Sequence, residues 1–194
     1  MIIRAGIFVG LVFLVGVPLF ALPATLSLPP GLRPGLEDLT LSQAAGQLIE
    51  TGKSGLDLVE AARALVAERM IYSRRNSFDS YATAFARGYG YCSQQANALA
   101  DLLSRLGFEA KVVHAFRNRF PDGRVASHAW VQVLVGGRVV YVDSLYYDAQ
   151  RSGITFTPLS RVSEVSLAIK ILERWGAGAV NAHRYYVTGK DRGW

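Results

Sequence analysis

The chain has 194 residues, a length that suits one domain of ordinary size once any targeting segment is set aside. Half of it is hydrophobic (51%), so a core can form and disorder is not the default. The net charge of +6 permits contact with anionic lipid or nucleic acid, but the basic residues are scattered, densest at Arg74-Arg75 and Arg117-Asn118-Arg119. No basic stripe interleaved with aromatics is present, so the reading is a solvated basic surface and no nucleic-acid partner.

Residues 5–32 carry no charge, and Ala5–Ala24 is the densest apolar run, with Arg4 before it. Twenty such residues can span about 30 Å as a helix. The small-residue pattern of a cleavage site is missing, with Leu22 and Leu19 at the −3 positions. An uncleaved signal anchor is therefore favoured over a cleaved signal peptide. Arg4 and the amino terminus would stay in the cytoplasm, leaving the rest periplasmic or at the cell surface, or secreted if cleavage occurs. The expected organisation is an anchor or signal peptide over 1–27, a Pro/Gly-bearing linker over 28–39 and one domain over 40–194.

Within the domain, 40–50 reads as a short helix. A stronger one is expected over 55–72, with Leu56, Val59, Ala62, Leu65, Val66 and Met70 near one face. Residues 73–90 are polar and irregular. Next, Gly88-Tyr89-Gly90-Tyr91-Cys92 leads into a helix over 93–106, whose Ala96, Leu99, Leu102, Leu103 and Leu106 recur at helical spacing. Three strands are predicted over 110–116, 128–135 and 138–143. The first two are joined through the turn signature Pro121-Asp122-Gly123, the last two by a tight hairpin at Gly136-Gly137. A helix over 160–175 and a final strand over 183–188 complete the reading.

Cys92 is the single cysteine, so no internal disulfide and no cysteine-rich zinc site can form. His114, His128 and His183 are dispersed without metal-ligand spacing, and no metal site is expected. A lone cysteine is commonly a small buried hydrophobe. This one opens a helix, where unpaired N–H groups favour a thiolate. A thiolate also needs a histidine to hold its proton, and that histidine needs an acceptor to fix its tautomer. A two-residue loop at Gly136-Gly137 sets Asp143 opposite Trp130 and diagonal to His128, at about 7–8 Å between backbones. Both would then lie at one end of the hairpin and on one face of it. A three-residue loop would break this parity.

These residues resemble the transglutaminase-like superfamily of papain-like thiol enzymes. Gly90-Tyr91-Cys92-Ser93-Gln94-Gln95-Ala96 is similar to the family's glycine-x-cysteine helix start. Leu102-Leu103, Leu106-Gly107 and Ala110 resemble its continuation, His128-Ala129-Trp130 its histidine strand, and Val142-Asp143 its strand ending in aspartate. The likeness covers about residues 56–148. It implies an α+β fold in which the cysteine helix packs on an antiparallel sheet. It also implies a Cys92 nucleophile, a His128 base and acid, an Asp143 orienter, and amide chemistry through a thioester with no cofactor or metal. Two departures stand out. Ser144 follows the aspartate where the family often has proline, and no oxyanion-hole side chain upstream of Cys92 can be placed.

The functional expectation is a membrane-anchored, extracytoplasmic thiol enzyme acting on peptide or isopeptide amide bonds of a protein or peptide substrate, by hydrolysis or acyl transfer. The rival expectation is an inactive binding or accessory module of an envelope or polysaccharide assembly, since the superfamily contains members without activity.

Overall fold

The computed structural model describes residues 33, 35–74, 77–165, 175–176 and 178–187. The apolar run 5–24, most of the expected linker and residues 166–174 of the expected helix lie outside the described residues. Among the described residues no helix is long and apolar enough to cross a membrane.

Helix α1 (Leu41–Glu50) begins at a reciprocal cap. Thr40 Oγ1 accepts from Gln43 N–H at 3.2 Å, and Gln43 Oε1 accepts from Thr40 N–H at 2.8 Å. Helix α2 (Gly55–Arg69) buries Leu58, Val59, Ala62 and Val66, so its inward face is turned toward Leu58 and leaves Leu56 exposed. It ends before Tyr72 because Ile71–Tyr72 (β1) pairs in parallel with Tyr89–Gly90 (β2). The stretch read as irregular contains a helix, α3 (Tyr81–Arg87). Ser80 caps it through Thr83 N–H at 3.1 Å, and left-handed Gly88 closes it. The polar neighbourhood of this two-turn helix hid its periodicity.

Helix α4 (Cys92–Arg105) carries the cysteine and packs on an antiparallel sheet. The sheet runs β5 (Arg138–Val142), β4 (Val125–Val135), β3 (Glu109–Arg119), with β8 (Thr157–Pro158) and β9 (Ser163–Glu164) both on the far side of β3. A short pair, β6 (Tyr147–Asp148) and β7 (Gly153–Ile154), follows the hairpin. The α+β architecture matches the expectation.

Strand alternation divides the interior in two. Ala129, Val131, Val133 and Val142 join Leu99, Leu102 and Leu103 in the main core between sheet and helices. Trp130, Val113 and Ala115 form a second cluster with Phe120 and Phe156.

The hairpin register is the one a two-residue loop dictates. Gly136 and Gly137 have φ of 57° and 78°, the pair of left-handed residues a type I′ turn needs. Val135 therefore faces Arg138, and Val131 faces Val142.

The end of the domain departs from the sequence reading. Of the strand expected over 183–188, residues 183–186 are helical instead, the end of helix α5 (Gly178–Tyr186), and residue 188 lies outside the described residues. The expected helix over 160–175 begins instead with β9 at Ser163–Glu164. The β-prone run Tyr185-Tyr186-Val187 yields to tertiary contacts at the start of α5. There Ser77 Oγ donates to Gly178 O at 3.0 Å, and Gly178 lies so close to Phe78 that an added Cβ would meet its ring at 3.0 Å.

Candidate functional site

Cys92 is the first residue of α4, half-buried and in no disulfide. At that position the N–H groups of the opening turn have no acceptor within the helix, so their dipoles converge on the thiol. The approach to it is tightly built. Gln94 Oε1 accepts from Tyr91 N–H at 3.1 Å, and Gln94 Nε2 donates to Asp79 O at 2.9 Å. Fully buried Gln95 donates to Gly90 O at 2.9 Å.

Gly88 joins this approach to α3 at φ 80°. A Cβ there would meet Leu36 Cδ2 at 2.6 Å and the Arg69 carbonyl at 3.1 Å. Gly88→Ala is expected to cost about 1–3 kcal/mol, read as a lowered urea midpoint, because the strained conformation and the backbone contact add. A midpoint equal to that of the parent would mean the loop is not held this way.

His128 lies on β4 beside an irregularity in β3. The register runs Ala115 to His128 and then Asn118 to Ala126, so β3 bulges next to the histidine. Buried Asn118 bridges the bulge, its Nδ2 donating to Ala115 O at 2.8 Å and Ala126 O at 3.2 Å. The imidazole is 1% exposed and enclosed by Phe120, Trp130, Tyr146 and Phe156, with ring centroids 5.0–6.4 Å away.

Its Nε2 is bonded to Asp143 Oδ2. The other oxygen, Oδ1, accepts from Leu145 N–H at 2.6 Å and Tyr146 N–H at 3.1 Å, so the buried carboxylate is fully partnered. A carboxylate can only accept, so Nε2 carries a proton whatever the charge of the ring. Nδ1 is buried, and the Cys92 thiol acts on the ring through a hydrogen bond and its charge. Burial by itself pulls the imidazole pKa down. The charge and hydrogen bond of Asp143 outweigh it, the Cys92 thiol adds to the rise, and the net result is about 10.

The structure thus brings the three sequence-nominated residues together. Cys92 and His128 line one cavity of about 270 Å³. Cys92, Asp143 and Ser144 line a second, narrow one against Trp130 and Val142. Ser144, the departure from the family pattern, has a structural role. Its Oγ donates to Gln95 Oε1 at 2.7 Å, and Gln95 holds Gly90 beside the cysteine. The aspartate turn and the cysteine loop are joined through one glutamine.

Two further residues of the main cavity were not singled out by sequence reasoning. Tyr72, from β1, lines it with Cys92. Burial, and next the nearby Cys92, raise its phenol pKa, so it keeps its proton at neutral pH. His114, in register with Ala129 on β3, also lines it. Burial, followed by the charge of His128, lowers its pKa and keeps the ring neutral. Neither residue belongs to a local motif; each arrives from a different strand.

With this geometry in view, the family is decided by a model of the transglutaminase-like superfamily that matches residues 42–144. The chain belongs to the transglutaminase-like superfamily. Two solved structures are similar to it. One is a "putative cysteine protease" from Cytophaga hutchinsonii at 14% identity and a TM-score of 0.48, the match covering 65% of this chain and 48% of that one. The other is a "putative protease" from Parabacteroides distasonis at 14% identity and a TM-score of 0.40, covering 53% of this chain and 22% of that one. The chain therefore spans about half or less of the length of these relatives. No curated protein matches it. In this transglutaminase-like chain the matched region runs from α1 to the residue after Asp143, and includes Cys92, His128 and Asp143.

Proposed function

We propose that the protein is a thiol enzyme that cleaves or transfers peptide or isopeptide amide bonds through a thioester at Cys92, with His128 as base and acid and Asp143 as orienter. The observation that carries this reading is the buried Nδ1 of His128. With Nε2 on a fully partnered carboxylate, it is the ring nitrogen left to the Cys92 thiol, whose hydrogen bond and charge both raise the imidazole pKa.

In this reading Nδ1 holds the proton that the thiol has given up, the two form an ion pair, and the thiolate sulfur attacks the amide carbonyl carbon. The oxyanion forms against the N–H of Cys92 and the Tyr72 hydroxyl. The imidazolium then protonates the departing amine as the C–N bond breaks, leaving the thioester. Nδ1 next deprotonates the incoming water or amine, which attacks the thioester, and the sulfur leaves as thiolate. The membrane anchor over residues 1–27 and an extracytoplasmic location belong to the same proposal. They are supported by the uncharged run that follows Arg4.

Incubation with a cell-envelope peptide extract, followed by mass spectrometry of the acid-quenched protein, should find an acyl adduct on Cys92 that hydroxylamine removes. The native thiol should also alkylate with iodoacetamide. A Cys92 that forms no adduct and alkylates only on unfolding would leave the inactive-module reading in its place.

A further inference from the structure

The cavity at Cys92 opens onto an uncovered part of the sheet. His114, Ser127 and Ala129 line it, and on β4 the main core reaches no further toward Val125 than Ala129. The bulge in β3 decides what lies beyond. Ala115 pairs with His128 and Asn118 with Ala126, so Phe116 and Arg117 both stand against Ser127. Phe116, two residues after His114, keeps the cavity side of the sheet. The extra residue shifts the alternation, and Arg119, the partner of Val125, returns to that side together with Arg117. Strand β8 extends the same register: Thr157 pairs with Arg119, and Leu159 N–H donates to Arg117 O at 2.8 Å. Burial agrees with this assignment of faces. Asn118 and Phe120 turn the other way and are buried, whereas Phe116 (70% exposed), Arg117, Arg119, Val125 and Leu159 are open to solvent.

The resulting shelf is cationic and partly apolar. Among the described residues no carboxylate meets the Arg117 or Arg119 guanidinium. Asp122, at the hairpin tip, pairs with Arg124 at 2.8 Å. Glu164 pairs with Lys111 at 3.2 Å on the opposite face, in register with Val113. The Phe116 ring stands edge-on to His114, with centroids 4.7 Å apart, and so carries the shelf up to the cavity wall. Two guanidinium groups beside an exposed aromatic suit carboxylate side chains whose aliphatic stems lie over the ring. At about 3.4 Å per residue, the Arg119–Val125 pair lies roughly 7 Å beyond Ser127, the span of two residues of extended peptide. We propose that this shelf binds an acidic stretch of the peptide whose amide Cys92 attacks, with Arg117 and Arg119 receiving carboxylates two or three residues from that amide. The inference rests on the thiol-enzyme reading and names its substrate class, peptides with acidic residues near the scissile bond.

Two reactive peptides test this on the full chain in non-ionic detergent micelles. Iodoacetyl-Gly-Glu-Glu-amide and iodoacetyl-Gly-Gln-Gln-amide both alkylate a thiol by displacing iodide, and they differ only in carboxylate against carboxamide. Their rate ratio at Cys92, divided by the same ratio for glutathione, is expected to favour the glutamate peptide by about tenfold, since each exposed ion pair gives about threefold. Arg117→Gln combined with Arg119→Gln should bring that ratio to about one, and Arg117→Lys combined with Arg119→Lys should keep most of it. High salt should shrink the preference in the parent. An unaltered ratio when both arginines are replaced by glutamine overturns their role while leaving the reactive thiol standing.

A second arm does not use the thiol. In Cys92→Ala, acetyl-Gly-Glu-Glu-amide should shift the backbone amide resonances of Arg117, Arg119 and Val125 at about tenfold lower concentration than acetyl-Gly-Gln-Gln-amide, and adding both glutamine substitutions should erase the difference. Equal binding of the two overturns the acidic-peptide proposal, whatever Cys92 does. Phosphatidylglycerol added to the micelles that moves these resonances, where the glutamate peptide does not, overturns it in favour of a lipid-docking face. A native Cys92 closed to iodoacetamide and to both reactive peptides would instead sink the thiol-enzyme reading.

Discussion

Cys92→Ala and His128→Gln each lower turnover of an amide substrate by at least about 10³-fold, because the nucleophile and its base act as one unit and neither works without the other. The measurement is release of free amine from a mixed peptide library, counted by mass spectrometry. Cys92 is half-buried at a helix start, so its truncation removes little core and should leave the thermal midpoint within a few degrees of the parent. His128 is different: it fills an aromatic cage and partners a buried carboxylate. Glutamine, which retains a polar group for Asp143, is the more informative replacement, and its folding is checked by near-ultraviolet dichroism. Two folded variants that kept more than a tenth of the parent rate would remove Cys92 and His128 from the chemistry.

Asp143→Ala carries the largest expected loss of stability, about 3–5 kcal/mol, since it strands a buried imidazole and opens two backbone caps at once. The pair also sets a pH dependence with a definite sign. The folded His128 holds its proton to about pH 10, against the ordinary value of 6.5. Below pH 6.5 the folded and unfolded chains both carry the proton, and the contribution of the pair is complete. Between 6.5 and about 10 the unfolded chain has released it and the folded chain has not, so stability falls as pH rises. Urea midpoints between pH 6 and 10 should therefore decline in the parent, and this component of the decline should be absent in Asp143→Ala. Parallel curves for parent and variant would mean that the imidazole is not held charged by this carboxylate.

What the sequence could show was local or strictly periodic. The cysteine helix was legible because its apolar residues recur at helical spacing and the packed face is continuous from Ala96 to Leu103. The relation of His128 to Asp143 was legible because a two-glycine loop fixes parity, and parity alone decides which residues share a face. The bonded pair of imidazole and carboxylate follows from that register.

Other features are decided by contacts between residues far apart in the chain. The Gln95–Ser144 bond spans 49 positions, and nothing near either residue announces it. Tyr72 reaches the cavity because β1 pairs in parallel with the strand just before Cys92, a pairing of two residues that leaves no periodicity to read. The bulge beside His128 depends on a buried asparagine bridging two strands. Helix α5 shows the limit most plainly. Its last residues favour a strand by their own preferences, yet docking Gly178 against Ser77 and Phe78, 101 positions from Ser77, makes them a helix and turns Arg184 toward the cavity. The sequence by itself determined the nucleophile's helix and the hairpin that pairs its histidine with an aspartate, because spacing encodes both. The tertiary structure alone decided what surrounds them, because side chains from separate elements meet only when the core between those elements has formed.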